Sequence, residues 1–159
     1  MKVVLNTSPQ ILLAKIGRLD LLTQLYSDIL VPASVLDELE AKPGEIEKIQ
    51  ALIQGGDFQV QKAANENIDR IPADLGVGER EAIALAIEKN ADLVILDDRE
   101  GREIARSRGL SVTGTIGILV EARERGLIPS IRLELDRLIE AGMWLNEAFY
   151  HRILQEFGE

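Results

Sequence analysis

Leu93-Val94-Ile95-Leu96-Asp97-Asp98-Arg99 is the stretch on which the fold turns. Four apolar residues in a row, without alternation, read as a strand buried on both faces. Two carboxylates follow at once, and a polar helix over roughly Arg99 to Arg108 begins there, closed by Gly109. Working outward, the same short apolar signal recurs. Val3-Val4-Leu5 precedes Asn6-Thr7-Ser8-Pro9, and Ile29-Leu30-Val31 precedes Pro32. Phe58-Gln59-Val60 and Leu110 to Thr113 read as shorter strands.

Helical patterns separate these strands. Ser8 can cap a helix with Pro9 at its first position, running to Gly17. Others are predicted over Leu19 to Leu25, Ser34 to Ala41, residues 44 to 54, Glu79 to Lys89 and Ile116 to Arg125. Two more follow Pro129, with Gly142 between them. Lys62 to Gly76 is polar, contains Pro72 and is expected to be a mobile loop. Apolar strands alternating with helices imply a parallel sheet covered on both faces. The expected architecture is a three-layer α/β/α sandwich around a central parallel sheet of four or five strands.

Composition narrows the rest. The 159 residues carry 18 Lys and Arg against 27 Asp and Glu, a net charge of −9, with one His and no Cys. The length suggests one domain, residues 1–159, with a helical extension from about 129 to 159. Lacking cysteine, the chain has no disulfide, zinc-thiolate site or thiol nucleophile. No apolar run approaches a membrane span, and the N-terminus turns polar too early for a signal peptide. A cytoplasmic protein with no membrane partner is the expectation. The negative total argues against bulk electrostatic attraction to nucleic acid.

In parallel α/β folds, sites form beyond the carboxyl ends of the strands. Two strands end in polar ligand types, at Asn6-Thr7-Ser8 and at Asp97-Asp98. If the two strands are neighbours, Asn6 and Asp97 converge. At about 100° per residue, Glu79 shares a stripe with Ile83 and Ala86 and points inward, whereas Glu81 lies with Leu85 and Glu88. Glu38 and Glu40 both flank the buried side of their helix, and periodicity does not choose between them. Carboxylates without His or Cys suit a hard dication, Mg²⁺ or Mn²⁺. Such a site can polarise a phosphodiester and activate water, the physics of a metal-dependent nuclease. Each acid alone has a plainer role: Asp97 or Asp98 as a helix cap, Glu79 as favourable charge at a helix N-terminus, Glu38 as a solvated surface acid.

Arg99, Arg102 and Arg106 fall within about 60° of one another on a helix, beside these acids. They form a strip able to hold RNA phosphates, or else pair with Glu100 and Glu103. Other chemistries have no support. There is no Gly-x-x-x-x-Gly-Lys, and no dinucleotide fingerprint at Gly76-Val77-Gly78. His151 is alone and reads as a surface or packing residue. Trp144, with Met143 and Leu145, reads as cover for the core or a partner surface rather than a base-stacking platform, since only 4% of residues are aromatic.

Taken together these residues resemble a PIN domain. The family pattern has a strand ending in Asp-Thr-Ser, here Val4-Leu5-Asn6-Thr7-Ser8. A Pro and a helix bearing Glu follow, here Pro32 to Glu38, then an acid opening an Ala-rich helix, here Glu79 before Ala82-Ile83-Ala84-Leu85-Ala86, then a strand ending near Asp97. The Glu79–Asp97 separation is similar to the family's and favours Glu79 over Glu81. Gly78-Glu79-Arg80-Glu81-Ala82, Leu96-Asp97-Asp98-Arg99 and Gly114-Thr115-Ile116-Gly117 resemble the prokaryotic DUF3368 subgroup over nearly the whole chain.

The resemblance implies an endoribonuclease, the toxin of a VapBC-type toxin–antitoxin pair. Asn6, Glu38, Glu79 and Asp97 would hold Mg²⁺ or Mn²⁺ and act on RNA, with Asp98 as a further metal ligand and Ser8 and Glu81 in support. It also implies an antitoxin partner and a homodimer, for which Trp144 offers an apolar contact. Asn6 departs from the family's Asp, keeping a carbonyl oxygen but losing a charge. The alternative it raises is an attenuated PIN module that binds RNA or a protein without cleavage.

Overall fold

The computed structural model describes residues 1–40, 44 and 46–159. Five parallel strands form one sheet: β1 (Lys2–Leu5), β2 (Asp28–Pro32), β3 (Phe58–Gln61), β4 (Leu93–Ile95) and β5 (Val112–Thr113), in the order β3-β2-β1-β4-β5. β1 lies at the centre, and Val3, Val4 and Leu5 are wholly buried, as an uninterrupted apolar strand must be. The expected three-layer sandwich with a parallel sheet is what the chain forms.

Period-2 alternation divides the core in two. Val3, Leu5, Ile29 and Val31 face one side, where they meet α1 (Thr7–Lys15), α2 (Asp20–Leu25), α3 (Ala33–Glu40), α4 (Ile46–Gln54), α8 (Thr115–Glu124) and α9 (Ile131–Glu140) through Leu13, Leu22, Val35, Ile49, Ile118 and Leu135. Val4, Leu30, Val94 and Leu96 lie on the other side of the division, with α6 (Val77–Glu88) and α7 (Arg99–Ser107), through Ile83, Leu85 and Ala105. The last helix, α10 (Glu147–Glu156), adds Ile153 and Leu154 to the first cluster.

Three local expectations change. Ser8 is not a cap: Asn6 is the N-cap residue of α1, no side chain caps that end, and the Ser8 hydroxyl points elsewhere. The stretch 62–76 is tethered rather than loose. It contains a short helix, α5 (Asn65–Ile68), and buries Ala63, Ile71 and Leu75. Arg80 donates to the carbonyls of Ile68 and Ile71, and Glu88 accepts from the amide of Ala64 at 2.8 Å. These partners lie on α6, so a local reading of polarity misses them. The expected strand and helix ends also shift by a residue or two, as hydrogen-bonded ends do. The expected helix over 44 to 54 begins at Ile46, and residue 45 and the expected end of α3 at Ala41 lie outside the described residues.

Charged ties fasten the C-terminal helices. Glu134 on α9 is fully buried and pairs with Arg18 at 2.7 Å and Arg137 at 3.5 Å. Despite burial, which raises it, the Glu159 carboxyl is brought down to about 2 by donors from Ser130, the Ile131 and Arg132 amides and Arg123. It thereby serves the N-terminus of α9, whose orphan amides need an acceptor. Removing one partner of a buried pair leaves an uncompensated charge. Arg18→Ala is expected to lower the unfolding free energy by about 3 kcal/mol. Urea denaturation checks this as a lower midpoint at unchanged slope.

Candidate active site

The site begins where β1 and β4 end together. The Asn6 amide donates to the Ile95 carbonyl at 3.0 Å, one step beyond the paired Leu5 and Ile95. The Asn6 carbonyl in turn accepts from Gln10 Nε2 at 3.1 Å. The backbone there is held on both sides, and the Asn6 side chain is buried with 1% exposure. Its Nδ2 donates to Glu79 Oε1 at 3.3 Å, while its Oδ1 has no hydrogen-bond partner.

Gly78, buried in the first turn of α6, shows what surrounds that oxygen. A Cβ placed there would collide with Glu38 Oε1 and lie 3.2 Å from Asn6 Oδ1. Two acceptor oxygens thus flank one point, made accessible by the missing side chain. Glu38 lines the cleft in a half-buried position, whereas Glu40 is exposed, so tertiary packing makes the choice that periodicity left open. The cleft has a volume of about 480 Å³. Asn6, Ser8, Glu38, Glu79 and Asp97 line it, Lys15 brings one positive charge, and Gly142 and Met143 close it from the C-terminal side.

Asp97 is held by three donors. Ser8 Oγ donates at 3.0 Å, and Thr115 gives its amide at 2.7 Å and its hydroxyl at 2.8 Å. The Thr115 amide belongs to the first turn of α8, where free amides and the helix dipole favour an anion. Gly114 leaves room for this, since a Cβ would sit 2.7 Å from Asp97 Oδ1. Thr115 was not singled out as a functional residue from the sequence. Its signal was the Gly114-Thr115 pair after β5, which becomes meaningful only once β5 is known to lie beside β4.

Two other acids have structural duties. Asp98, considered as a metal ligand, caps α7: its Oδ2 accepts from the Gly101 amide at 2.6 Å, and it does not line the cleft. Glu81 is more buried than Glu79, contrary to the stripe argument, because α6 is covered by α3, α5 and α7 as well as by the sheet. Its Oε1 accepts from the Ser34 amide at 2.7 Å and so steadies the start of the helix that carries Glu38.

Arg99, Arg102 and Arg106 do share a face, lining a second groove that meets the first at Asp97 and Met143. Arg99 pairs with Glu103 at 3.5 Å on the exposed surface, which contributes little. Glu100 does not serve the arginines. A hydrogen bond with Asp74 holds its carboxyl above the ordinary value. His151 is exposed, edge-on to Tyr150 at 5.3 Å. Trp144 covers no core, being 81% exposed.

A family model described as a PIN domain, DUF3368, matches residues 2–159. The chain belongs to the PIN domain family. PIN domains are, in general, nucleases, and hydrolysis of nucleic acid is the coarse activity this membership gives. The fold is also similar to that of a PilT N-terminus domain protein from the hyperthermophilic archaeon Sulfolobus solfataricus, with 18% identity and a TM-score of 0.52. That likeness covers 77% of this chain and 93% of the other. No curated protein matches the chain.

PIN domains typically use divalent metal ions, and the residues here can be tested for that use. Among the described residues no group of three acidic, histidine or cysteine side chains is gathered to hold an ion. The donor set of this PIN domain is mixed instead. Asn6 Oδ1 is buried without a donor, and Glu38 Oε1 faces the same point beside Gly78. A buried acceptor without a donor, with a carboxylate oxygen near the same point, is costly, and a hard cation would relieve it. The residues therefore fit a cation, with one uncharged ligand among carboxylates. Gly78→Ala would fill the shared point. If the parent chain binds Mn²⁺ there, its melting temperature is expected to rise with the ion, and the variant is expected to keep the fold, by circular dichroism, without that rise.

Proposed function

We propose that the chain is a metal-dependent endoribonuclease and the toxin of a VapC-like toxin–antitoxin pair. The observation that carries this reading is the meeting of Asn6 Oδ1 and Glu38 beside Gly78, with Glu79 bonded to Asn6 and Asp97 on the same cleft. Asn6, Glu38, Glu79 and Asp97 would hold Mg²⁺ or Mn²⁺, ions that prefer oxygen ligands. When bound, such an ion supplies Lewis-acid activation of the phosphodiester and of the attacking water.

The chain's own residues do the positioning. Ser8 and Thr115 fix the Asp97 carboxylate before substrate arrives, so that its orientation costs nothing during reaction. Glu81 steadies the helix bearing Glu38. Arg99, Arg102 and Arg106 take phosphates of the flanking nucleotides, and Lys15 supplies a point charge within the cleft. Water adds to phosphorus, the bond to the leaving sugar oxygen breaks, and the products carry a phosphate end and a hydroxyl end. An antitoxin partner and a homodimer belong to the same reading and rest on the family resemblance, while a cytoplasmic setting rests on composition.

Cleavage of single-stranded RNA with Mn²⁺ is the test. Chelator, or Glu79→Gln together with Asp97→Asn, is expected to cut the rate by at least about 100-fold. Equal cleavage in chelator would overturn the metal mechanism. Growth arrest on expression, relieved by the same double substitution, is the outcome the toxin role requires.

A second reading, a module that binds RNA or a partner protein without cutting, is favoured by one observation. The Asn6 amide satisfies Glu79 with a neutral donor, which replaces part of what a cation would otherwise do. Asn6→Asp restores a charged ligand and is expected to tighten Mn²⁺ binding by about 10-fold or more, read by calorimetry. Cleavage that appears only in Asn6→Asp would select this second reading.

A further inference from the structure

The second groove holds more than the arginine strip. Its volume is about 1020 Å³, and it is lined by Arg99, Arg102 and Arg106 from α7 and Arg152 from α10, with Asp97 as its one acid. Trp144 and Phe149 complete the wall. Both are exposed, Trp144 at 81% and Phe149 at 39%, and Arg152 lies over the Phe149 ring at 5.9 Å. In a chain of net charge −9 this is a local concentration of the opposite sign. A tryptophan this exposed, on a groove lined by four arginines, is not accounted for by burial in the core.

We propose that this groove is a binding subsite for single-stranded nucleic acid, in which Trp144 stacks on an unpaired base while Arg102, Arg106 and Arg152 hold phosphates. Charge complementarity selects a polyanion. The exposed aromatic faces select one whose flat bases are free to stack, which excludes a duplex. An acidic peptide would satisfy the arginines but offer nothing regular to the indole. On the helix, Arg102 and Arg106 are about 6 Å apart along the axis, so they address successive charges rather than one. The groove joins the acid cleft at Asp97 and Met143. A strand lying in it therefore leads directly to the residues proposed to cut it, and this direction is the one part that rests on the nuclease reading. Stacking and backbone contacts read no sequence, so the subsite gives reach and strand preference rather than base choice.

Trp144 is the sole tryptophan, so its fluorescence reports from the groove alone. The full chain, in chelator to keep the cleft silent, is titrated with a short 2′-O-methyl oligouridylate. Saturable quenching is expected, weakened by salt and absent with the same strand in duplex. By anisotropy of a labelled strand, Trp144→Ala is expected to bind about 10-fold more weakly. Trp144→Phe should stay near the parent value, and Arg152→Ala should lose affinity several-fold. Binding without quenching, or Trp144→Ala binding as well as the parent, overturns the subsite. Equal quenching by polyglutamate overturns it in favour of an acidic peptide. A dimer that already shields Trp144 before strand is added overturns it in favour of a second copy of the chain. Mn²⁺-dependent RNA cleavage without quenching would sink the subsite and spare the nuclease reading. Quenching with no cleavage under any metal would do the reverse.

Discussion

The parallel pairing of β1 with β4 is the constraint on which everything else hangs. Val3, Val4 and Leu5 pair with Leu93, Val94 and Ile95, and the Asn6 amide extends the ladder to the Ile95 carbonyl. Because both strands run the same way, both release their chains at the same edge, and the polar residues that follow face one cleft. An antiparallel partner would send Asp97 to the far end of the molecule from Asn6. The burial of β1 on both faces makes this pairing expensive to shift, since a one-residue slip would turn its apolar side chains into the wrong layer.

The cleft is built by mutual support rather than by four independent acids. Asp97 is immobilised from β5's side by Thr115 and from β1's side by Ser8. Glu79 leans on the Asn6 amide, and the helix bearing Glu38 is anchored by Glu81. Gly78 and Gly114 matter here for what they lack, each leaving space where a carboxylate oxygen must sit. The single Asn among these residues changes the electrostatics in two ways. It removes one negative charge from a crowded cleft, and it gives Glu79 a donor. Both effects ease the cost of holding the site without a cation, and both lessen the pull on one.

Much of this was legible in the sequence and some was not, for identifiable reasons. The strands over Val3 to Leu5 and Leu93 to Leu96 are plain in the sequence, because burial on both faces leaves no polar positions to confuse the pattern. Asn6 and Asp97 followed from strand ends. The helical stripe does not separate Glu79 from Glu81, because α6 is enclosed on several sides and has no single apolar face, so in the sequence the preference for Glu79 rests on its separation from Asp97. The stretch 62–76 reads as loose because its polar groups are satisfied by Arg80 and Glu88, whose reach back to it depends on how α6 packs and not on local polarity. For Trp144 the sequence offers the core or a partner surface, and exposure removes only the first, since residue type does not tell which side of a turn faces water.

Read alone, the chain already yields the parallel α/β class, the two strand ends whose polar residues meet at the cleft and the kinship with PIN domains. It could do so because periodicity and short motifs are properties of neighbours along the chain. It takes the packed fold to show that Glu38 rather than Glu40 lines the cleft, that Ser8 and Thr115 serve Asp97, that Asp98 is a cap, and that Arg152 and Trp144 join the arginine strip. Each of these joins residues from different elements. Their meeting depends on strand order and helix packing, which no local pattern encodes.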